Sequence, residues 1–336
     1  VYQLMAVKQQ TPELLQQAKT LLMLPDYFGF RLTGNKLSEY TNGSTTQLVN
    51  PDTFQWDKEL IRKLGYPEDI FLPLQMPGTK VGQLLPEIQK EVGFDLEVVL
   101  CGSHDTASAV MAVPQTEGDG IYISSGTWSL MGIESLKPVI TEDAAAANFT
   151  NEGGYDHRFR FLKNIMGLWM IQSVRHEYND AYSFAQLCNM AEESKEFPSR
   201  VDVNDQSFLS PDSMVEAIRQ YCHKTGQPVP ESVGELTSVV YRSLAQSYGE
   251  TVRGLEKIAG KTYDSIHIIG GGSNAAYLNQ LTADATGKTV YAGPSEATAI
   301  GNLLAQMIHA GDLADLKSAR KCVRESFEIK TFAPAK

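Results

Sequence analysis

The amino-acid sequence predicts an α/β fold with two domains. Short apolar strands, such as those at 97–101 and 265–269, alternate with amphipathic helices, and this alternation is typical of α/β proteins. The chain has 336 residues, an ordinary length for two domains. Residues 114–120 contain one proline and two glycines and are predicted to form a hinge. The predicted division is an amino-terminal domain at 1–113, a carboxy-terminal domain at 114–320 and a carboxy-terminal tail at 321–336.

The individual elements are predicted from hydrophobic spacing and from turn residues. In the first domain, helices are predicted at 11–24 and 57–65, and a helix of small residues follows the strand at 97–101. In the second domain, residues 121–133 predict a β-hairpin with a short turn. Asn164 is the predicted N-cap of the helix that follows it. The other predicted elements are strands at 159–162, 265–269 and 289–291 and helices at 165–178, 204–222, 231–260, 276–287 and 295–310.

The composition argues against several classes of partner. The formal net charge is −11, and so acidic a surface repels nucleic-acid phosphates and anionic lipids, so we expect neither nucleic acid nor membrane as a partner. The four cysteines are scattered without a CxxC pair, which disfavours a disulfide framework or a zinc site and is typical of a cytoplasmic protein. The first residues do not resemble a secretion signal, and the start at Val1 indicates a piece of a longer chain.

The first candidate for chemistry is Asp105, which follows the apolar strand at 97–101 and precedes a helix. A carboxylate at this position is stabilised by the positive end of the helix dipole. An ionised aspartate at a strand end, facing a cleft, suits a base that accepts a hydroxyl proton during phosphoryl transfer, and it could also help to hold a divalent metal. Aspartate is a preferred N-cap as well, so an ordinary helix cap is the alternative interpretation.

Two further loops are candidates for phosphate binding. The tip of the predicted hairpin, 124–129, contains Gly126 and several hydroxyls that can cradle phosphate oxygens, and an ordinary hairpin tip is the alternative. The turn 270–274 joins a strand to a helix through three glycines, as many nucleotide sites do. With Ala275 it also fits a dinucleotide-binding pattern, but the acidic residue that this pattern needs after the next strand is missing.

One motif is discounted and the metal ligands stay unassigned. Residues 254–262 come close to a P-loop, but the two glycines are one residue too far apart and the segment ends a helix instead of following a strand. We therefore interpret Lys261 as a surface residue. The six histidines are dispersed along the chain and identify no metal site.

Several segments taken together resemble the FGGY family of carbohydrate kinases. They follow the family's order over nearly the whole chain, and this ordered series is far more specific than any single motif. The segments are 40–50 (YTNGSTTQLVN), 103–109 (SHDTASA), 124–132 (SSGTWSLMG), 150–154 (TNEGG), 162–169 (LKNIMGLW) continuing to Gln172, 269–272 (IGGG) and 292–297 (AGPSEA).

The resemblance implies an actin-like, ribonuclease H-like ATPase fold with ATP bound in a cleft between two domains. It implies transfer of the γ-phosphoryl group of ATP to a sugar hydroxyl, with Mg²⁺. Within the family, the segments are most similar to those of kinases that convert L-rhamnulose to L-rhamnulose 1-phosphate in rhamnose catabolism. A kinase for another ketose, such as fuculose or xylulose, and a non-catalytic actin-like nucleotide-binding module are the alternatives, and the oligomeric state stays open.

The resemblance also implies roles for individual residues. Asp105 matches the family's catalytic base. His104, Thr106 and Asn164 match sugar contacts. The residues that match nucleotide contacts, the first two glycines of the turn above all, are Gly126, Thr127, Gln172, Gly270, Gly271 and Gly272.

The sequence departs from the family's pattern at its beginning. The family starts with a glycine-rich phosphate-binding hairpin that bears an aspartate, and no such segment occurs here. We therefore expect a remnant of the first domain with a complete second domain, inactive alone but able to bind nucleotide weakly. Exposed strand edges would make the remnant prone to aggregation.

Overall fold

The computed structural model describes residues 1–335. They form a mixed α/β structure built around one large sheet, with three small two-stranded sheets in the amino-terminal third. The strands are β1 Ser38–Glu39, β2 Val49–Asn50, β3 Gln55–Trp56, β4 Leu74–Gln75, β5 Lys80–Gln83, β6 Glu97–Val99, β7 Ile121–Ser125, β8 Trp128–Ser135, β9 Thr150–Gly153, β10 Phe159–Met166, β11 Ser265–Ile269, β12 Thr289–Ala292 and β13 Lys330–Phe332.

The longer helices lie mostly in the second half of the chain. They are α1 Tyr2–Gln10, α2 Pro12–Gln17, α3 Leu24–Thr33, α4 Tyr40–Ser44, α5 Lys58–Lys63, α6 Pro86–Val92, α7 Asp105–Met111, α8 Glu142–Ala146, α9 Trp169–Glu177, α10 Phe184–Glu193, α11 Met214–Lys224, α12 Val233–Ala259, α13 Ala276–Thr286, α14 Ala297–Ala310 and α15 Leu316–Ser326. None of the helices within 1–335 is both long enough and apolar enough to cross a lipid bilayer.

The large sheet has seven strands in the order β13-β12-β11-β7-β8-β10-β9. Its centre is parallel, since β11 pairs in parallel with both β7 and β12, while β8, β10 and β9 continue as antiparallel neighbours. The loops after β7 and β11 therefore leave the same edge of the sheet. This edge holds both phosphate-loop candidates.

Helices cover both faces of the large sheet. On β7, Ile121 and Ile123 point to one core with α9, α10, α12 and α13, and Tyr122 points to the other with α7, α14 and α15, as the two-residue period of a strand requires. The long helix α12 is fixed at its start by a capping box between Ser232 and Glu235. The strands of the sheet are strongly hydrophobic because helices bury both of its faces.

The helix α7 packs into this second core although it precedes the predicted hinge. Ala109, Val110 and Met111 are buried in one cluster with Ile300 and residues of the large sheet. The packing against α14 is close: a Cβ on Gly301 would overlap the backbone carbonyl of Ser108. Apolar residues within 1–76 instead form a separate small core around α2, α4 and α5.

Most predicted elements of the second domain are confirmed, with three differences. The predicted helix 204–222 is α-helical only from Met214 onward, in α11, and its first half contains a single 3₁₀ turn, Gln206–Phe208. Asn164 is not a helix cap; it lies within β10 and pairs with Leu130 of β8, and the helix begins only at Trp169 because Gly167 intervenes. Residues of the predicted tail form the end of α15 and the edge strand β13. The predicted helix 11–24 is also shorter, spanning Pro12–Gln17.

Replacing Gly301 with alanine is expected to destabilise the fold. The added methyl group has no room between α14 and α7, and overpacking of this kind costs about 1–3 kcal/mol in the free energy of unfolding. Urea denaturation measures the change. The control is Gly254→Ala in α12, where a Cβ meets nothing closer than 4.0 Å and where alanine favours the helix. Equal effects of the two substitutions would contradict close packing at Gly301.

Candidate active site

The loop after β6 delivers Asp105 to the start of α7. His104 caps this helix, since its Nδ1 lies 3.1 Å from the backbone N–H of Thr106. The same N–H donates to Asp105 Oδ1 at 2.6 Å. The other oxygen, Oδ2, accepts no hydrogen bond from residues 1–335, and the Asp105 side chain is 79% exposed. A free carboxylate oxygen therefore faces solvent at the mouth of a cleft.

Behind this loop lies a fully buried carboxylate, Glu39, at the end of β1. Its oxygens accept hydrogen bonds from the backbone N–H and the hydroxyl of Thr41 (2.6 Å each), the backbone N–H of Asn42 (3.0 Å), and the backbone N–H (3.1 Å) and hydroxyl (2.7 Å) of Ser103. Ser103 stands two residues before Asp105, so these bonds fix the backbone that leads to the exposed carboxylate. Such charge-assisted hydrogen bonds are the strong ones in proteins.

A second buried carboxylate, Asp26 of α3, lies beside Glu39. The backbone N–H of Glu39 is 3.3 Å from both oxygens of Asp26. Burial, together with the negative charge of Glu39, raises the pKa of Asp26 to about 6, and burial also raises the pKa of Glu39. Two acidic groups thus lie side by side in the interior, and the charge of Glu39 disfavours ionisation of Asp26.

The hairpin between β7 and β8 and the glycine turn after β11 meet at the same sheet edge. Gly270 has a φ of +84°, which favours glycine, and a Cβ there would lie 2.9 Å from the carbonyl oxygen of Ser125. A Cβ on Gly272 would overlap the side chain of Ser125. At Gly271, by contrast, a Cβ would meet nothing within 4 Å, because this residue faces open space. The hairpin tip stays exposed at Thr127, whose hydroxyl lies 3.5 Å from Gln172 Oε1.

One cleft of about 570 Å³ brings most of the candidate residues together. Gln172 and Gly272 do not line it directly but contact its walls through Thr127 and Ser125. The candidates that line it are His104, Asp105, Thr106, Gly126, Thr127, Asn164, Gly270 and Gly271. Candidate residues identified from different sequence motifs thus line the same cleft.

The surroundings of His104 favour its neutral imidazole. Burial and the nearby guanidinium of Arg160 lower its pKa from the usual 6.5. Its imidazole also lines the cleft, next to Asp105. A neutral imidazole can hydrogen-bond to a hydroxyl group without adding charge to the cleft.

Family comparison covers both halves of the chain. Residues 1–112 match the amino-terminal domain of the FGGY family of carbohydrate kinases, and residues 121–310 match its carboxy-terminal domain. The chain belongs to the FGGY family of carbohydrate kinases. This confirms the resemblance carried by the sequence segments.

Individual FGGY relatives agree over the whole chain. A rhamnulokinase of Halalkalibacterium halodurans is 51% identical over 335 residues, which are 100% of this chain and 71% of the relative. A rhamnulokinase of Bacillus subtilis is 45% identical and shares 99% of this chain and 68% of its own length.

Solved structures match the fold. A ligand-bound xylulose kinase of Lactobacillus acidophilus superposes with a TM-score of 0.75 at 16% identity, over 99% of this chain and 67% of that one. Plasmodium falciparum glycerol kinase with ADP gives a TM-score of 0.76 at 15% identity over the same shares. The predicted actin-like ATPase fold of the FGGY kinases is therefore confirmed.

Three polar cleft residues outside the candidate loops of this FGGY kinase carry no role in the sequence-based interpretation: Glu152, Ser295 and Thr298. The first two lie in segments that resemble the family, and this is the signal by which the sequence could have identified them. Thr298 has no such signal; its hydroxyl donates to the backbone carbonyl of Asp105 at 3.3 Å from the start of α14. Only the folded chain brings these positions together.

The described part of the chain contains no ready-made metal cage. Within 1–335, no three His, Cys, Asp or Glu side chains are grouped so that they could hold a metal ion. The cleft nevertheless offers the exposed carboxylate of Asp105. Mg²⁺ in nucleotide sites commonly takes one or two carboxylates and completes its coordination with phosphates and water. The residues present therefore fit a nucleotide-bound Mg²⁺ and not a protein-enclosed ion.

Replacing Asp26 with asparagine is expected to change the pH dependence of stability. Because the pKa of the folded carboxyl, about 6, exceeds its ordinary value, the folded state binds more protons than the unfolded state between about pH 4 and 6. The stability contributed by this proton is lost as the pH rises through that window. We expect the free energy of unfolding of the variant to exceed that of the wild type by up to about 3 kcal/mol at pH 8. At pH 4 the two free energies should differ little.

Urea denaturation at several pH values measures this difference. The matched control is Asp69→Asn, because Asp69 is an exposed carboxylate in the same part of the chain. If the stability difference between the Asp26 variant and the wild type does not change with pH, the raised pKa does not belong to Asp26.

Proposed function

We propose that this protein transfers the γ-phosphoryl group of ATP to L-rhamnulose and forms L-rhamnulose 1-phosphate. The observation that carries the proposal is the cleft in which the exposed carboxylate of Asp105 faces the hairpin tip and the glycine turn. The family is one of carbohydrate kinases, and the rhamnulokinases named above support the choice of sugar.

Asp105 serves as the base in this mechanism. Its free Oδ2 accepts the proton of the sugar hydroxyl while the hydroxyl oxygen attacks the γ-phosphorus. The other carboxylate oxygen of Asp105 stays bound to the backbone of α7. The network around Glu39 and the hydroxyl of Thr298 keep the carboxylate in place. The base therefore needs little reorganisation during the reaction.

The nucleotide lies along the second wall of the cleft. Gly126 and Thr127 at the hairpin tip, and Gly270 and Gly271 in the turn, let the backbone approach phosphate oxygens closely. Gln172 and Gly272 support this wall through their contacts with Thr127 and Ser125. We propose that Mg²⁺ would accompany ATP, that the carboxylate of Asp105 would help to hold it, and that it would neutralise charge on the transferred group.

The sugar occupies the space beside Asp105. His104, Thr106 and Asn164 line this part of the cleft and can hydrogen-bond to its hydroxyl groups. The neutral state of His104 suits an uncharged ligand. Closure of the two walls would exclude water, which protects ATP from hydrolysis.

Replacing Asp105 with asparagine tests the proposed reaction. In an ADP-release assay of the full-length protein with L-rhamnulose, we expect kcat to fall by about 10²- to 10⁴-fold, because the base is lost, with the affinity for ATP nearly unchanged. The control is Asp119→Asn, which removes an exposed carboxylate that pairs with Lys261 outside the cleft.

The same assay of the wild type with L-rhamnulose, fuculose and xylulose tests the sugar. Faster turnover of another ketose would reject L-rhamnulose as the substrate. Near-normal turnover by the Asp105 variant would reject the assignment of the base.

Replacing Gly271 with valine tests the nucleotide wall. The side chain would project into open space in the cleft, so we expect little loss of stability but a rise of roughly tenfold or more in the dissociation constant of ADP. Calorimetry measures the binding, and thermal unfolding measures the stability. The control Gly254→Ala, remote from the cleft, should leave both ADP binding and thermal stability unchanged. Unaltered ADP binding by the Gly271 variant would show that the turn is not part of the nucleotide site.

A further inference from the structure

A buried ion pair supports one wall of the cleft. Arg160 of β10 is fully buried, and its Nη2 lies 3.1 Å from Glu152 Oε2 on the neighbouring strand β9. The two residues are direct partners in the sheet register. Arg160 also donates from Nε to the backbone carbonyl of Gly153 at 3.0 Å. Because a buried cation is costly without a counter-charge, the pairing with Arg160 fixes the position of Glu152.

The strand that carries Glu152 is held from the other side by the first domain. The backbone N–H of Gly153 donates to Ser44 Oγ of α4 at 2.8 Å. A Cβ on Gly153 would lie 2.5 Å from the ring of Tyr40, so the strand and the helix are in close contact. Glu152 is thus anchored by the sheet, by Arg160 and by α4.

Glu152 nevertheless has hydrogen-bonding capacity left. Its side chain is 14% exposed and lines the cleft together with Asp105 and Asn164. Within residues 1–335, the buried oxygen Oε2 accepts no hydrogen bond, and His104 Nε2 lies 3.7 Å from it, beyond hydrogen-bonding distance. An ionised carboxylate offers about four acceptor sites, so a ligand with hydroxyl groups can satisfy those that face the cleft.

The position of Glu152 in the sheet separates it from the nucleotide wall. The glycine turn follows β11, and β9 is four strands away from it, about 19 Å at the usual strand spacing. A carboxylate also repels phosphate groups. An uncharged polyol is therefore the ligand that fits beside Glu152.

We propose that Glu152 is a sugar-binding residue that accepts hydrogen bonds from hydroxyl groups of the ketose, with Arg160 as its positioning residue. This proposal rests on the proposed function, since it assigns a further contact to the same substrate. Glu152 selects for hydroxyl groups at that end of the sugar and leaves proton transfer to Asp105. Substrates that lack these hydroxyls leave a desolvated carboxylate unpaired and are disfavoured.

The test compares Glu152→Gln with the matched control Glu134→Gln. Glu134 is a similarly buried carboxylate, 17% exposed, that pairs with Arg320 but lies outside the cleft. With L-rhamnulose, we expect the Glu152 variant to raise the KM for the sugar by about 10- to 100-fold. Its KM for ATP should stay within about twofold of the wild-type value, and the control should change neither constant.

A second variant guards against misfolding. Glu152→Gln leaves Arg160 without its counter-charge, so thermal unfolding is recorded for each variant. Glu152→Asp keeps the charge but shortens the side chain by one methylene, so it should fold and still raise the KM for the sugar by several-fold. A purely structural role would instead change both Michaelis constants together, or change only the unfolding temperature.

The outcomes distinguish this proposal from the proposed function. Normal phosphorylation of L-rhamnulose by the wild type with an unchanged sugar KM in both Glu152 variants overturns the role of Glu152 alone. If the wild type prefers another ketose, the same variants are measured with that sugar, and the identity of the substrate alone is corrected. A wild type that neither binds nor phosphorylates any sugar overturns both proposals.

Discussion

The packing of α7 against α14 is the constraint on which the candidate site depends. Asp105 begins α7, and the glycine turn lies on the sheet that α14 covers. At Gly301 the two helices are so close that a side chain would not fit, and Thr298 binds the backbone of Asp105 from the start of α14. The distance between Asp105 and the glycine turn is therefore fixed by rigid elements and not by the loops themselves.

The first domain holds the loop that leads to Asp105 from the opposite side. It does so with buried carboxylates, which are energetically unfavourable. Glu39 and Asp26 are both buried, and burial raises the pKa of each. Apolar side chains in these positions would avoid that cost, but they could not accept hydrogen bonds from Ser103. The buried acids thus exchange some stability for an ordered backbone ahead of Asp105.

The sequence predicts the elements of the second domain well because each has a local cause. The capping box at Ser232, the glycines after β11 and the apolar strand at 265–269 act over a few residues. Asn164 shows the limit: its predicted role as a cap is wrong, because sheet pairing with Leu130 overrides the local preference. The sequence also could not predict the Glu152–Arg160 pair, because a single amino-acid sequence does not reveal which residues face each other across neighbouring strands. The site roles of Asp105 and the other candidates stay predictions.

The charges along the cleft divide it into two chemically different regions. Glycines and hydroxyls line the end near β7 and β11, whereas Glu152 and Asp105 lie where the first domain meets the sheet. A phosphate chain is repelled by the carboxylates and is accepted by backbone N–H groups, whereas a polyol can use carboxylates as acceptors. Two ligands of this kind would be oriented before any specific contact forms, with the reacting hydroxyl between them. With this division, an acidic protein could bind a nucleotide without a strongly basic pocket, since backbone dipoles would supply the positive potential.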